Sequence, residues 1–383
     1  MIKSTCNFCK SSKLDFVHES IKSKINLKIN ICQKCGLVQS EYDDVKYENN
    51  NIKSLNKSFT NLDCDASYSD VRVGKQQMIN YFFDMKKSIN LKLPKTAKVL
   101  DLKSARGHFA IRCLKEFDLE SMDCVEDDEY LLDTYKDNVQ IKLYKIKYHE
   151  IPEKTYDLIY SCHSLEHYKN PSKYLNFVHE RLDINGLFYL DVPNIENINH
   201  ENNLDEFFYD KHLFYYDFKT LVQYISNIGF DLIYSFKNNQ NISLLFKKTN
   251  SYKLYPITNQ YDENSKLIVN YKNNLTRNRN ILKEKVKNIN EIFSNGNNSI
   301  IGCGRVLDAF IKYGELNLNN FNYLIDDYLY EVTDTLYNKT LYSRDILNGI
   351  KFDNILVLVK HPNPIMLKEL NATSMVSLDQ LLK

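Results

Sequence analysis

The chain has 383 residues, 43% of them hydrophobic and 26% charged, which is long enough for two or three domains with buried cores. Fifty basic and forty-nine acidic residues nearly cancel, so no overall field favours nucleic acid or an anionic membrane as a partner. The N-terminal residues are polar, and no apolar run approaches the roughly eighteen residues of a membrane span, so a cytoplasmic protein is expected.

The first zone, residues 1 to about 45, carries Cys6-x2-Cys9 and Cys32-x2-Cys35, the latter followed by Gly36. Two CxxC knuckles at this spacing have the arrangement of a zinc ribbon, in which each pair chelates from a tight turn. Metal binding would then supply the stability that so short a segment cannot draw from a core. Four thiolates close the coordination sphere, so the zinc is expected to be structural. The other five cysteines, Cys64, Cys113, Cys124, Cys162 and Cys303, are scattered. An odd total with that distribution reads as reduced thiols rather than a disulfide framework.

Residues 46 to about 75 are polar and rich in Asn and Ser, and are expected to wrap over the next domain. From 76 to 250, strand-length apolar runs alternate with helical segments: Lys98–Leu102, Ser121–Glu126, Ile141–Ile146, Tyr156–Cys162 and Gly186–Val192. This is the pattern of βαβ units and a mostly parallel sheet. Phe230–Lys237 and Ile242–Lys248 follow, joined by so short a turn that the last strand must run antiparallel. Residues 251 to 275 read as a polar connection and Leu275 to Phe293 as a charged amphipathic helix. A second βαβ series comprises Ser299–Cys303, Arg305–Lys312, Phe321–Asp326, Phe352–Lys360 and Pro364–Leu370. The expected domains are therefore 1–75, 76–250 and 251–383, the last a smaller α/β domain.

Within the central domain, Lys98-Val-Leu-Asp-Leu-Lys-Ser-Ala-Arg-Gly-His-Phe109 resembles the first strand and loop, hDhGxGxG, of a Rossmann-like class I S-adenosylmethionine (SAM) methyltransferase. Glu126, closing the second strand, stands where such folds place a carboxylate for the ribose hydroxyls. Tyr156–His167 and Arg181–Asn194 resemble the fourth and fifth strands. The loop departs from the motif: Lys103 and Ala105 stand at two glycine positions and only Gly107 survives. Lys103 and Arg106 either point outward or fill the pocket. The resemblance implies a SAM site built on Asp101, Ser104, Gly107, Glu126 and His163.

All three zones together resemble the nucleotide-sugar C-methyltransferases, whose members have an N-terminal zinc module, a central SAM fold and a C-terminal Rossmann-like domain. Cys32-Gln-Lys-Cys-Gly-Leu-Val-Gln39 is similar to the family's second knuckle. Ile300-Ile-Gly-Cys-Gly-Arg305 and Leu324-Ile-Asp-Asp327 resemble its C-terminal turn and strand end. That chemistry needs a base to remove the proton beside a ketone, after which the enolate attacks the SAM methyl. The family's Tyr-x-Glu-His segment corresponds to Tyr209-Asp-Lys-His212, with Lys211 in place of the glutamate. The resemblance makes His212 the base, Tyr209 an enolate stabiliser, Lys211 a neighbour of the same oxygen and His167 a further active-site histidine. These residues also have packing roles open to them in a chain with 28 tyrosines. Asp326 and Asp327 could bind a ribose or serve as scaffold, and no cofactor is assigned to the C-terminal domain. The expected partner is a nucleotide-linked sugar or related small molecule, with no nucleic acid and no membrane. Two rivals stay open: O-methylation or another transfer on an activated sugar, and a fold that has lost SAM.

Overall fold

The computed structural model describes residues 5–20, 25–46, 76–105, 107–127, 138–199, 204, 206–210, 212–249, 256–330, 333–359 and 372–377. The connecting segment from Tyr47 through Val71 with Cys64, Arg106, Lys211 and the segment expected over Pro364–Leu370 lie outside them. The described residues fall into two compact units. One takes those up to 47, from 75 to 198 and from 208 to 268; the other takes those from 199 to 207 and from 269 onward.

In the first unit the cysteine zone forms three antiparallel strands, β1 (Leu14–Glu19), β2 (Lys28–Cys32) and β3 (Val38–Glu41). Helix α1 (Gln76–Ser88) follows, then β4 (Val99–Leu102), α2 (His108–Phe117), β5 (Met122–Val125), β6 (Ile141–Tyr144) and β7 (Tyr156–Cys162). Next come α3 (Pro171–Arg181), β8 (Leu182–Pro193), β9 (Phe214–Tyr215), α4 (Phe218–Ser226), β10 (Phe230–Lys237) and β11 (Asn241–Lys248). The larger sheet has the order β10-β11-β8-β7-β4-β5-β6. Strands β8, β7, β4, β5 and β6 are parallel, and β11 runs against β8, as the short turn before it required. Every residue of β4 and β5 is buried, because a parallel sheet is covered on both faces.

Local chemistry sets the helix starts. Asn170 caps α3 by accepting from the Lys173 amide at 3.1 Å with Pro171 in the first turn, and Asp217 caps α4 by accepting from Thr220 at 2.9 Å. Phe109, Ala110, Cys113, Leu114 and Phe117 form the buried stripe of α2. Phe109 stacks on Tyr160 with centroids 3.5 Å apart, and Phe82 meets Tyr160 and Tyr189 edge-on.

The long helix α5 (Tyr261–Ile292) begins well before the expected Leu275 and replaces most of the expected polar connection. Its buried positions Ile268, Tyr271, Leu275, Leu282, Val286 and Ile289 keep a helical stripe through both halves. Asp262 and Glu263 in the first turn suit the positive end of the helix dipole. Interleaved Asn and Lys had masked that period.

The second unit adds β12 (Asn298–Ile301), α6 (Arg305–Lys312), β13 (Tyr323–Ile325), α7 (Asp327–Tyr330), β14 (Thr335–Leu336), β15 (Lys339–Tyr342), β16 (Phe352–Val357) and β17 (Ala372–Ser377). Its sheet order is β14-β15-β13-β12-β16-β17, with only β14 antiparallel to its neighbour. The later part of α5 packs on it through Leu282, Val286 and Ile289, next to Phe293. Among the described residues no helix is long and apolar enough to cross a membrane.

Candidate active site

Four thiols meet in the cysteine zone. Cys6 Sγ lies 3.5 Å from Cys35 Sγ, Cys9 Sγ lies 3.4 Å from Cys32 Sγ, and all four fall within 4.8 Å of one another. A tetrahedral metal with metal–sulfur bonds of about 2.3 Å sets its sulfurs roughly 3.8 Å apart, so this donor set fits zinc with small adjustments. Hydrogen bonds from Cys35 first, then Cys6 and Cys9, hold the Cys32 thiol well below the usual thiol range. Gly36 has φ +80°, and a Cβ there would lie 2.4 Å from the Gln260 backbone, so only glycine fits the turn that closes the second knuckle. Strand β3 pairs with β9, Val38 against Tyr215 and Gln39 against Phe214. The module is thereby joined to the segment that carries Tyr209 and His212.

At the carboxyl end of β4, Lys103, Ala105 and Gly107 all have positive φ, at 60°, 49° and 71°. These are the three positions where the motif has glycine, so the loop keeps the glycine conformation with side chains present. A non-glycine residue pays roughly 1–2 kcal/mol for it. Asp101, Ser104 and Glu126 are buried beside the loop. Glu126 accepts the Ala105 amide at 2.9 Å on Oε2, and the Lys103 ammonium lies 3.3 Å from its Oε1. Lys103 also pairs with Asp127. Burial works against the Lys103 charge, but the Glu126 and Asp127 carboxylates outweigh it and raise its pKa above the usual lysine value. The side chain thus turns onto the carboxylate that the motif reserves for a ribose.

Beyond β7 a second constellation forms. His163 follows the strand with φ 47°, its Nε2 3.1 Å from Asn241 Oδ1 and 3.2 Å from Asp191 Oδ1. The turn Leu165–His167 brings Glu166 and His167 together with His212, whose ring centroid is 4.9 Å from that of His167. Tyr209 Oη is 2.8 Å from His212 Nε2. Burial pushes the Tyr209 phenol well above its usual range, which keeps it a hydrogen-bond donor. Two backbone-anchored contacts hold His212 in place: Leu213 donates to the Glu166 carbonyl at 2.8 Å and Ser40 Oγ donates to the His212 carbonyl at 3.2 Å.

The structure therefore gathers Tyr209, His167 and His212 in one group and Asp101, Ser104, Gly107 and Glu126 in another. Both lie beyond the carboxyl ends of parallel strands, where open α/β sheets bind ligands. His163 stands with the first group rather than on the loop. Glu166 and Asp191 went unnoticed in the sequence. A charged residue inside the apolar run Leu187–Val192 was the available signal for Asp191; Glu166 had none beyond its two neighbouring histidines. In the second unit Asp326 accepts from the Cys303 amide at 2.9 Å and the Leu329 amide at 3.1 Å, and Asp327 accepts from the Arg344 amide at 2.7 Å.

Residues 75–235 match the family described as a methyltransferase domain, about two fifths of the chain. The strand order, with an antiparallel β11 inserted beside β8, is the class I methyltransferase arrangement, and this segment is a methyltransferase domain. No curated protein matches the chain. Among solved structures, it is similar to a SAM-dependent methyltransferase from Clostridium acetobutylicum, at 13% identity and TM-score 0.39, covering 46% of this chain and 93% of that one. It is also similar to one from Mesorhizobium loti, at 13% identity and TM-score 0.34, covering 41% and 94%. A third, the YcgJ protein from Bacillus subtilis, shows 12% identity and TM-score 0.37, covering 46% and 100%.

Proposed function

We propose that the protein is a SAM-dependent C-methyltransferase acting on a nucleotide-linked keto deoxysugar, with a structural zinc on Cys6, Cys9, Cys32 and Cys35. The observation that carries this reading is the Tyr209–His212 hydrogen bond of 2.8 Å, next to His167 and beyond the strand end of a methyltransferase domain. A phenol kept protonated by burial can donate to an enolate oxygen, and an imidazole is a suitable base near neutral pH. The base takes the proton beside the ketone, the C–H electron pair stays on the sugar as the enolate, and that carbon attacks the methyl group. SAM, when bound, would supply an electrophilic methyl group with a neutral thioether as its leaving group. Glu126 would hold the ribose, and Gly107, Asp101 and Ser104 would line the loop around the cofactor.

Solvent exchange tests the carbon chemistry directly. Incubated in D2O with a keto-sugar nucleotide and no SAM, the enzyme is expected to exchange the proton next to the ketone. Methyl transfer to a hydroxyl with no exchange at carbon would sink the reading and favour an O-methyltransferase.

A second reading, a methyltransferase fold without SAM, is favoured by one observation: Lys103 pairs with Glu126. Calorimetry decides between them. We expect heat on titration with SAM or S-adenosylhomocysteine, and Lys103→Gly should strengthen that binding on the order of tenfold, because it removes the ammonium that competes for Glu126. No heat from either protein at millimolar ligand would establish the cofactor-free reading. Weaker SAM binding by the glycine variant would show that Lys103 helps, and unchanged binding that it does not compete.

A further inference from the structure

Glu166 is 1% exposed, and among the described residues neither of its carboxylate oxygens receives a hydrogen bond. A buried carboxylate left in that state costs several kcal/mol unless a cation stands nearby. Three imidazoles, each able to take that charge by protonation, surround it. His167 Nε2 lies 3.7 Å from Oε1, His212 Nε2 lies 3.9 Å from it, and His163 Nδ1 lies 4.0 Å from it. These side chains come from two separate segments, the turn after β7 and the segment entering β9, and they converge on one oxygen. Among the described residues, the other titratable groups facing the site are the Asp191 carboxylate, 3.2 Å from His163 Nε2, and three phenols: Tyr209 on His212, Tyr215 with its ring centroid 6.1 Å from that of His212, and buried Tyr216. The described part of the segment before His212 offers Asp210, and Lys211 stands at the next position, so no carboxylate directly precedes the histidine.

We infer that Glu166 is the positioning carboxylate of this site: it orients the His167 and His212 imidazoles and carries the countercharge when either becomes cationic. The inference rests on the proposed methyl-transfer reading only in naming the source of the proton. During turnover the substrate C–H bond breaks, its proton passes to the His212 imidazole, and the electron pair remains as the enolate. The new imidazolium then lies beside a carboxylate already in place. No proton needs to reach Glu166 for the step to balance. An anion at under 4 Å from each Nε2 stabilises the charged imidazole and raises the pH at which it loses its proton.

The test reads the imidazoles themselves. In protein labelled at histidine Cε1, the His167 and His212 signals, assigned through single His→Gln variants, are followed from pH 5 to 9 by NMR. In the wild-type protein their midpoints should lie above that of the exposed His149. In Glu166→Gln both should fall by about one pH unit or more while His149 stays in place. The acid limb of the turnover profile should move down by a similar amount, with SAM affinity unchanged. Midpoints in folded Glu166→Gln equal to wild type would overturn the assignment. If that variant does not fold, wild-type midpoints at or below that of His149 overturn it instead. A metal ion bound by wild type beyond the four-cysteine site, and lost in the variant, would overturn it as well. Because none of these titrations needs substrate, shifted midpoints without proton exchange would retain Glu166 and remove the methyl-transfer reading.

Discussion

Removing the proposed zinc, or replacing Cys35 by Ser, is expected to disorder the segment that holds His212 along with the cysteine zone. The zone buries little besides Ile25, Leu27, Ile29, Ile31, Leu37 and Val38, too small a core to fold unaided. Zinc binding at such sites contributes on the order of 10–16 kcal/mol, comparable to the whole stability of a domain. Strand β3 is the physical link, because it pairs with Phe214 and Tyr215 while Ser40 holds the Leu213 and His212 carbonyls. Metal analysis of fresh protein should give one zinc per chain. After chelation, amide exchange should accelerate at Val38, Gln39 and the residues after His212, while β4 and β7 keep their protection. Turnover would be lost with SAM binding largely intact. Metal-free protein with unchanged exchange at Val38 and Phe214 would refute this link.

The strands of the central domain were legible because burial on both faces writes near-continuous apolar runs, and Tyr156–Cys162 and Phe230–Lys237 appear with the expected bounds. The start of α5 was not legible. Its exposed positions are Asn- and Lys-rich, and the stripe Ile268, Tyr271 and Leu275 is too sparse to stand out among them. Strand β17 and the β14–β15 hairpin were missed as well, the hairpin because two-residue pairing leaves almost no alternation to detect. In the loop after β4, side-chain identities pointed away from a glycine turn while the backbone retains one, with Lys103 and Ala105 held at positive φ. Sequence pattern reports side chains, and here what the loop keeps of the glycine turn is a dihedral angle. The pairing of Lys103 with Glu126 and the convergence of Glu166 on three histidines depend on contacts between separated segments, which no local spacing encodes.

Substituting His212 by Asn should lower turnover by roughly 10²–10⁴-fold, the usual worth of a general base, with SAM affinity unchanged. His212 is 8% exposed and bonded to Tyr209 Oη at 2.8 Å, so the smaller Asn amide leaves a small buried void and breaks that bond, while the Ser40 contact, to the backbone carbonyl, survives the change. Stability should fall modestly, and the loss of turnover should appear in kcat at temperatures where the variant is folded. Tyr209→Phe should cost less, because the imidazole stays while the phenol's hydrogen bonds go, the one to His212 Nε2 at 2.8 Å and the one offered to the enolate oxygen; a loss of about 10–10²-fold is expected from a charged hydrogen bond of about 1.5–3 kcal/mol. The two changes also separate in the exchange experiment. Without His212 the proton beside the ketone should not exchange at all, whereas the phenylalanine variant should exchange slowly. His212→Asn with normal exchange would place the base elsewhere, and His167, whose ring stands 4.9 Å away and is more open to solvent, would then be the group to replace next.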